Sequence, residues 1–198
     1  MDKIILATRS KGKIAEFSEL LDPYKVEILT TYDLDEPLEV QETEDTFRGN
    51  ARLKATAYME LTGYPALADD SGLIVESLGE KPGVYSSRYA GINATDKENN
   101  EKLLHELKDV PMDRRNAKFI SAIALVFPNN SVQIVEGTCE GIILEEPKGD
   151  NGFGYDPLFY VPEVKKTYAE MTSKEKNQYS HRAKAMQKLA RILPSVWR

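Results

Sequence analysis

Two adjacent carboxylates follow a short apolar run in the motif Asp69-Asp70-Ser71-Gly72. Neighbouring residues of a strand point to opposite faces, so one aspartate could reach a ligand while the other braces the turn. A carboxylate at a strand end can bind Mg²⁺ or deprotonate a water molecule. The same four residues also suit an Asx-type turn joining strands 66–69 and 73–76 in a hairpin, and at this point both interpretations stand.

A basic turn containing glycine lies near the start of the chain. Arg9, Lys11 and Lys13 surround Gly12, between a β-prone run at 3–7 and a helical pattern that begins at Ile14. Backbone N–H groups at a helix N-terminus and nearby ammonium groups suit phosphate oxygens. The spacing is not that of a Walker A loop. The alternative is an exposed basic start of a helix.

An aromatic loop and a cationic segment occur in the C-terminal third. Phe153-Gly154-Tyr155-Asp156 places a ring between glycines, where it could stack on a heterocycle or pack as a surface-loop anchor. Further on, Lys176, His181 and Arg182 could face a base edge or a phosphate. Their alternative is a solvated helix face.

The elements that must position these residues are predicted from hydrophobic spacing and helix caps. Strands are predicted at 3–7, 26–31, 66–69, 73–76, 117–127, 131–137 and 138–145, and helices from 14 to about 21, at 46–62, 95–108 and 173–193. Residues 147–157 are too rich in Gly and Pro for regular structure. Helices and strands interleave in the first half, so we expect an α/β protein with a mixed sheet.

Composition narrows the function classes. The 198 residues are 41% hydrophobic and 29% charged, as in one globular domain or two small lobes. A net charge of −6 argues against nucleic acid and membrane surfaces as partners. No apolar run reaches the ~18 residues of a membrane span and no secretory signal is evident, so we expect a cytoplasmic protein. One cysteine excludes an intramolecular disulfide, and one cysteine with two histidines provides too few ligands for a Cys/His zinc cluster. If a metal binds, we therefore expect carboxylate ligands and a hard cation such as Mg²⁺.

In their order and spacing these segments resemble the inosine triphosphate pyrophosphatase family, also called XTP/dITP diphosphatases, over essentially the whole chain. The motifs that carry the resemblance are Ala7-Thr8 with Gly12-Lys13, Thr46-Phe47 with Asn50-Ala51 and Lys54-Ala55, Ala68-Asp69-Asp70-Ser71-Gly72-Leu73, Pro82-Gly83-Val84-Tyr85-Ser86-Ser87-Arg88-Tyr89, Gly152-Phe153-Gly154-Tyr155-Asp156-Pro157, and Ser180-His181-Arg182.

The resemblance implies a fold and a reaction. The fold is a long, twisted mixed β-sheet in two lobes flanked by helices, similar to the Maf fold, with residues 1–198 forming one domain around a central cleft. The reaction is Mg²⁺-dependent hydrolysis of ITP, dITP and XTP to the nucleoside monophosphate and pyrophosphate. The resemblance also implies a homodimer.

The resemblance further assigns roles to single residues. It implies that Asp70 is the general base and a metal ligand, with Glu42 as the second metal ligand and Glu39 and Glu44 as alternatives. Phe153 would stack on the purine. The implied substrate-binding residues are Thr8, Arg9, Ser10, Lys11, Gly12, Lys13, Ser71, Phe153, Gly154, Tyr155, Asp156, Lys176, His181 and Arg182.

Two positions depart from the family pattern. Ser10 stands where Asn is common, and Gly49 stands where Glu is common, which removes a carboxylate and costs ~1 kcal/mol in a helix interior. Two other functions are therefore considered. One is a Maf-type pyrophosphatase that prefers pyrimidine nucleotides, and the other is a nucleotide-binding sensor without turnover.

Overall fold

The computed structural model describes residues 3–36 and 38–196. Trp197, which the sequence favours as an anchor of the terminus or a subunit contact rather than a substrate-binding residue, lies outside the described residues. The elements in chain order are β1 (Lys3–Leu6), α1 (Lys11–Leu21), β2 (Glu27–Thr30), α2 (Phe47–Thr62), β3 (Ala66–Val75), α3 (Asp96–Glu106), β4 (Asn116–Val126), β5 (Val132–Ile143), β6 (Phe159–Val161), β7 (Lys166–Thr167), α4 (Ser173–Tyr179) and α5 (His181–Val196).

The strands of the described residues form one sheet of seven, in the order β2-β1-β3-β4-β5-β6-β7. β1 runs parallel to both of its neighbours, β2 and β3. At the other end, β6 is antiparallel to β5 and to β7. The predicted α/β architecture with a mixed sheet is therefore confirmed.

The chain divides into two compact units, each with its own core. Unit 1 contains the described residues up to Asp70, Ser121–Gly137 and the residues from Ala185 onward, and unit 2 contains Ser71–Ile120 and Thr138–Lys184. The fully buried core of unit 1 includes Ile4, Leu6, Phe17, Leu21, Leu67, Ile123, Leu125, Ala185, Leu189 and Leu193. The core of unit 2 includes Leu73, Val75, Leu103, Leu107, Ile143, Leu158, Phe159 and Tyr168.

Helix α2 forms where its caps predict it. Thr46 accepts a hydrogen bond from the N–H of Gly49 at 3.0 Å, and Gly63 ends the helix in the left-handed conformation with φ 71°. Gly49 therefore lies in the first turn rather than in the helix interior. Glycine in the first turn costs less helix stability than glycine in the interior, so the cost at Gly49 is below the ~1 kcal/mol expected from the sequence.

The predicted turn at Asp70-Ser71-Gly72 is wrong, because Ala66–Val75 is one uninterrupted strand. Most of its residues are buried, and burial inside a sheet outweighs the turn preference of Asp, Ser and Gly. The strands predicted at 131–137 and 138–145 are likewise one strand, β5, which Gly137 does not interrupt. Asp69 and Asp70 thus lie within a strand rather than at its end.

The predicted helix 173–193 is two helices, α4 and α5, which are separated at Ser180. Ser180 has an extended conformation, with φ −67° and ψ 153°, and its Oγ accepts a hydrogen bond from the N–H of Ala183 at 3.1 Å. A new helix therefore starts at His181. The short strands β6 and β7 carried no sequence signal of their own.

None of the helices in the described residues has the length and apolar character that a membrane span requires.

Replacing the N-cap of α2 tests whether this helix is held by its local cap. We expect Thr46→Ala to lower the free energy of unfolding by about 1 kcal/mol, because the N–H of Gly49 loses its acceptor. Thr46→Ser keeps the acceptor and should match the wild type. Urea denaturation followed by circular dichroism measures both variants, and equal midpoints for the Ala and Ser variants would contradict the role of the cap.

Candidate active site

In unit 1 the ammonium group of Lys54 forms ion pairs with two carboxylates. Lys54 Nζ lies 2.7 Å from Glu42 Oε1 and 3.4 Å from Asp70 Oδ1. The three side chains are mostly withdrawn from solvent, with exposures of 16% for Lys54, 23% for Glu42 and 11% for Asp70. Asp70 Oδ2 is buried and has no hydrogen-bond partner among the described residues. A buried oxygen of this kind is available to a ligand or a metal ion.

The electrostatics of this cluster favour proton transfer near neutral pH. Burial raises the pKa of Asp70 to about 6, although Lys54 opposes the shift, and Glu42 adds to it. Burial would by itself lower the pKa of Lys54, but Asp70 and Glu42 outweigh it and keep that pKa above its ordinary value. Asp70 is thus a carboxylate whose proton affinity suits a general base, beside a lysine that stays charged.

Helix α2 holds the acidic segment, residues 38–45, through one of its faces. Asn50, Lys54 and Tyr58 are four residues apart and therefore lie on the same side of the helix. Asn50 Oδ1 accepts a hydrogen bond from the N–H of Glu44 at 3.0 Å, and the Tyr58 hydroxyl donates to the carbonyl of Leu38 at 2.7 Å. Together with the ion pair to Glu42, these contacts hold at three points a segment that its charge alone would class as a solvated loop.

The neighbouring aspartate has a different partner. Asp69 is buried, and its Oδ1 lies 2.9 Å from Lys13 Nζ in the first turns of α1. Asp69 and Asp70 point to opposite faces of β3, so each reaches a different lysine. The Asp69–Lys13 pair therefore connects the basic turn to β3.

The basic turn is the N-terminus of α1, as the phosphate hypothesis requires. Ser10 is the N-cap, and its Oγ accepts a long hydrogen bond of 3.5 Å from the N–H of Lys13. Thr8 Oγ1 accepts a hydrogen bond from the N–H of Ser10 at 3.2 Å. A Cβ added at Gly12 would meet only Ser10 Oγ, at 4.0 Å, so the space above this turn is open. Ser10 thus acts as a capping residue of the turn.

The remaining basic residues of this turn, Arg9 and Lys11, are exposed. The turn beneath them is tied down, because the Tyr32 hydroxyl donates to the carbonyl of Arg9 at 2.8 Å and the Thr31 hydroxyl donates to the carbonyl of Thr8 at 3.1 Å. The two cationic side chains therefore project into solvent from a turn whose backbone is held in place.

In unit 2 a buried ion pair supports the aromatic loop. Asp156 is 3% exposed, and its Oδ2 accepts hydrogen bonds from Lys176 Nζ and from the N–H of Phe153, the latter at 2.9 Å. The ring of Phe153 is 64% exposed, and Lys176 Nζ lies 5.0 Å from its centroid. A Cβ at Gly152, which has φ +81°, would come within 2.0 Å of Asp156 Oδ2, so only glycine fits there. The structure thus presents Phe153 as an exposed aromatic face beside a cation.

An aromatic stack orients the start of α5. The His181 ring lies parallel to Phe119 at a centroid distance of 4.8 Å, and 6.1 Å from Tyr168. Lys176 Nζ lies 5.2 Å from the Tyr168 ring, so Lys176 and His181 both lie around Tyr168. His181 is buried, and the next residue, Arg182, is half-buried. The stack therefore holds the plane of the imidazole ring nearly parallel to the Phe119 ring.

Three other predicted site residues are placed as follows. Ser71 is half-buried on β3, in unit 2. Tyr155 is buried, and its hydroxyl donates to the carbonyl of Ser86 at 2.7 Å, so its polar group already has a protein partner. Gly154 adopts φ +60°, with nothing within 4 Å of an added Cβ.

The structure also bears on the choice among the three glutamates. Glu42 shares Lys54 with Asp70, whereas Glu39 and Glu44 are exposed and form no ion pair within residues 3–36 and 38–196. Glu44 instead packs on Gly49, where an added Cβ would approach Glu44 Cβ to 2.7 Å. Glu42 is therefore the glutamate that the fold brings to Asp70.

The donors in unit 1 fit a magnesium ion that completes its coordination with substrate and water. In the part of the chain that the structure describes, no three His, Cys, Asp or Glu side chains converge to hold a metal ion by themselves. Mg²⁺ in phosphate-processing sites usually takes only one or two carboxylates and fills its other positions with phosphate oxygens and water. Glu42 and Asp70, with the unpartnered Asp70 Oδ2, meet that requirement.

Sequence reasoning did not assign a role to Lys54, Asn50 or Tyr58, or a partner to Asp69. The spacing of four residues along α2 was the available signal for the first three, since such residues share a helix face. The pairing of Asp69 with Lys13 joins residues far apart in sequence, and no local pattern indicates it.

Fold and site define a class of protein: an α/β protein with two adjacent aspartates on one strand of its mixed sheet. One aspartate belongs to a partly buried cluster with a lysine and a glutamate, and the other pairs with a lysine near the N-terminus of a helix. The chain belongs to the Ham1 family, whose model matches residues 4–192. The resemblance based on the motifs is thereby confirmed.

Individual relatives are similar to this chain in sequence over nearly its full length. A dITP/XTP pyrophosphatase of Desulforamulus reducens is 50% identical over 195 residues, which cover 98% of this chain and 97% of the relative. A dITP/XTP pyrophosphatase of Bacillus cereus is 47% identical over 196 residues, which cover 98% of this chain and 96% of the relative. The solved structure of a HAM1 protein from Coxiella burnetii superposes with a TM-score of 0.93 at 44% identity, covering 98% of this chain and 100% of that one.

Removing the shared cation should destabilise unit 1. We expect Lys54→Met to lower the free energy of unfolding by about 3 kcal/mol, because two partly buried carboxylates then lose their common partner. The control is Lys3→Met, which breaks an ion pair of similar length, 2.9 Å, whose side chains are 36% and 56% exposed. Solvent screens that pair, so the control should change much less. Urea denaturation in EDTA measures both, and equal effects would refute the shared-cation interpretation.

Removing the charge of Asp70 should have the opposite effect. A buried acid whose pKa is about 6 in the folded protein costs stability as pH rises from its unfolded value through 6. Asp70→Asn should therefore be more stable than the wild type by about 2 to 3 kcal/mol at pH 8 in EDTA, and by about 1 kcal/mol less at pH 5. Glu39→Gln, in the exposed part of the acidic segment, is the control and should leave the urea midpoint unchanged. A difference independent of pH would refute the shift.

Proposed function

We propose that this protein hydrolyses non-standard purine nucleoside triphosphates, ITP, dITP and XTP, to the nucleoside monophosphate and pyrophosphate, with Mg²⁺. The observation that carries the proposal is the partly buried Asp70–Lys54–Glu42 cluster in unit 1. Membership of the Ham1 family and relatives named dITP/XTP pyrophosphatase support the substrate class.

The residues of unit 1 suit the phosphate chemistry. Glu42 and Asp70 would hold Mg²⁺, which when bound neutralises negative charge on phosphate oxygens. Asp70 would accept the proton of the water molecule that attacks the α-phosphorus, since burial gives this carboxylate a proton affinity suited to neutral pH. Lys54 would keep the carboxylates oriented. Positioning and charge neutralisation account for most of the catalysis in such reactions.

The basic turn would bind the triphosphate. Its backbone N–H groups lie at the N-terminus of α1, where the helix dipole favours an anion, and the space above Gly12 is open. Arg9 and Lys11 are exposed and would add positive charge. Lys13, paired with Asp69, would connect this turn to β3. We assign substrate contacts to residues Thr8, Arg9, Ser10, Lys11, Gly12 and Lys13.

The residues of unit 2 suit recognition of the base. The exposed ring of Phe153 would stack on the purine, and Lys176, His181 and Arg182 would donate hydrogen bonds toward the 6-oxo group or a phosphate. A site built to pair a polar group discriminates against an analogue that leaves the group unpaired. Ser71 would contact the substrate from β3.

Two residues of the aromatic loop receive a narrower role in this proposal. Tyr155 and Asp156 are buried, and each has a hydrogen-bond partner within the protein. They would complete the pocket as its support, through the loop backbone and Lys176, and Gly154, which has no side chain, would let the base approach the loop closely.

Other parts of the proposal do not rest on the geometry of the site. The organisation of residues 1–198 as one pyrophosphatase domain and a homodimeric assembly rest on the resemblance alone, and a cytoplasmic location is expected from the sequence.

A substrate panel tests the proposal. Pyrophosphate release is measured with Mg²⁺ for ITP, dITP and XTP beside ATP, GTP, dTTP and UTP, with an EDTA control. We expect a large preference for the first three that EDTA abolishes, and a loss of at least ~10²-fold in turnover for Asp70→Asn. Faster cleavage of UTP or dTTP would favour a Maf-type enzyme. Binding of ITP without turnover at any Mg²⁺ concentration would favour a sensor.

A further inference from the structure

Helix α3 holds both backbone polar groups of Gly154. Asn100 Nδ2 donates to the carbonyl of Gly154 at 2.9 Å, and the N–H of Gly154 donates to Asp96 Oδ2 at 2.7 Å. Asp96 and Asn100 are four residues apart on α3, so both face the same side of the helix. The helix is thereby a two-point clamp on one residue of the aromatic loop.

The clamp lies next to Phe153, whose ring is proposed to stack on the purine. Phe153 directly precedes Gly154, and its ring is 64% exposed, so side-chain packing does little to hold it. The position of the ring therefore depends on the backbone at 153 and 154. Asp156 holds the N–H of Phe153 on one side, and the α3 clamp holds Gly154 on the other. Gly154 also has φ +60°. Glycine can adopt many other backbone conformations, so Gly154 could leave this one once its hydrogen bonds are lost.

Helix α3 itself is held by other contacts. Asn99, the neighbour of Asn100, accepts from the N–H of Ala90 at 2.8 Å and donates to the carbonyl of Ser87 at 3.2 Å. Leu103 and the adjoining Leu107 are fully buried in the core of unit 2. A capping box at Thr95 and Glu98 secures the N-terminus of the helix. Loss of the clamp should therefore release the loop and leave the helix in place.

We infer that Asn100 and Asp96 are positioning residues for base recognition: they fix the backbone of Gly154 so that the ring of Phe153 is ordered before the purine arrives. This inference rests on the proposed function. Asn100 contributes more than Asp96 to holding Gly154, because its hydrogen bond is partly buried, whereas that of Asp96 is exposed to solvent.

The physical consequence is a change in affinity rather than in the chemical step. A loop that is ordered before binding loses little conformational entropy when the base binds. A released loop loses that entropy on binding, and its affinity for the base is therefore lower. Substrate and transition state contain the same base, so both lose the same stabilisation. KM should rise while kcat stays nearly constant.

The test compares Asn100→Ala and Asp96→Ala with Glu101→Ala. Glu101 lies on another face of α3, and its one ion pair among the described residues is with exposed Lys97 at 3.8 Å, so it controls for substitution in the helix. Asn100→Asp is a second variant that keeps the size of the side chain but cannot donate to the Gly154 carbonyl. We expect KM for ITP to rise about tenfold in Asn100→Ala and less in Asp96→Ala, with kcat within about twofold of the wild type. The Glu101 variant should match the wild type.

Two readouts separate positioning from general damage. Inorganic tripolyphosphate has no base, so its inhibition constant should be the same in all variants. Amide hydrogen exchange of the peptide 151–157, measured without substrate, should be faster in the two Asn100 variants than in the wild type and the control.

Several outcomes would overturn the inference. They are unchanged exchange in the Asn100 variants, weaker binding of tripolyphosphate in parallel with ITP, or a fall in kcat without a change in KM. The proposed function is tested separately, by turnover of ITP in the wild type. Normal wild-type turnover with equal KM values in wild type and Asn100→Ala would overturn this inference alone.

Discussion

The ammonium group of Lys54 lies between two carboxylates that the chain must keep close together and away from water. Glu42 and Asp70 would repel each other without it, and Asp70 already bears a raised pKa because of burial. The other features of unit 1 follow from this constraint. Helix α2 must begin at its cap so that Lys54 faces β3, and the acidic segment must be held along the same helix face by Asn50 and Tyr58.

Unit 2 also contains a lysine–aspartate pair, but there the pair has a different role. There the buried Asp156 pairs with Lys176, and this pair supports an exposed aromatic ring rather than a reactive oxygen. In both units a lysine and an aspartate, mostly shielded from solvent, fix the backbone or side chain that a ligand would meet. Buried charges need such partners, because an unpaired charge in a low-dielectric interior is very costly. The arrangement leaves the neighbouring groups, Asp70 Oδ2 and the Phe153 ring, available for binding.

Local signals predicted much of the fold. The caps at Thr46 and Thr95, the glycine at the end of α2, and the mixed sheet are all found in the structure. Two of the errors have the same cause. Residues with turn preferences at 70–72 and 137 lie inside long strands, because burial between neighbouring strands outweighs local preference. Ser180 has the reverse effect, since a side chain that can cap a helix separates a periodic segment into two helices.

The sequence by itself determined the family, the residue types available for chemistry and the local helix caps, because motif order and side-chain periodicity are properties of the chain. Only the tertiary structure decided which of three glutamates joins Asp70, and that Lys54 lies between them. Those contacts join residues 12 and 16 positions apart, across a loop, a helix and a strand. Helical periodicity could place Lys54 on a face of α2, but only the packing of that face against the acidic segment and β3 determines which carboxylates it meets.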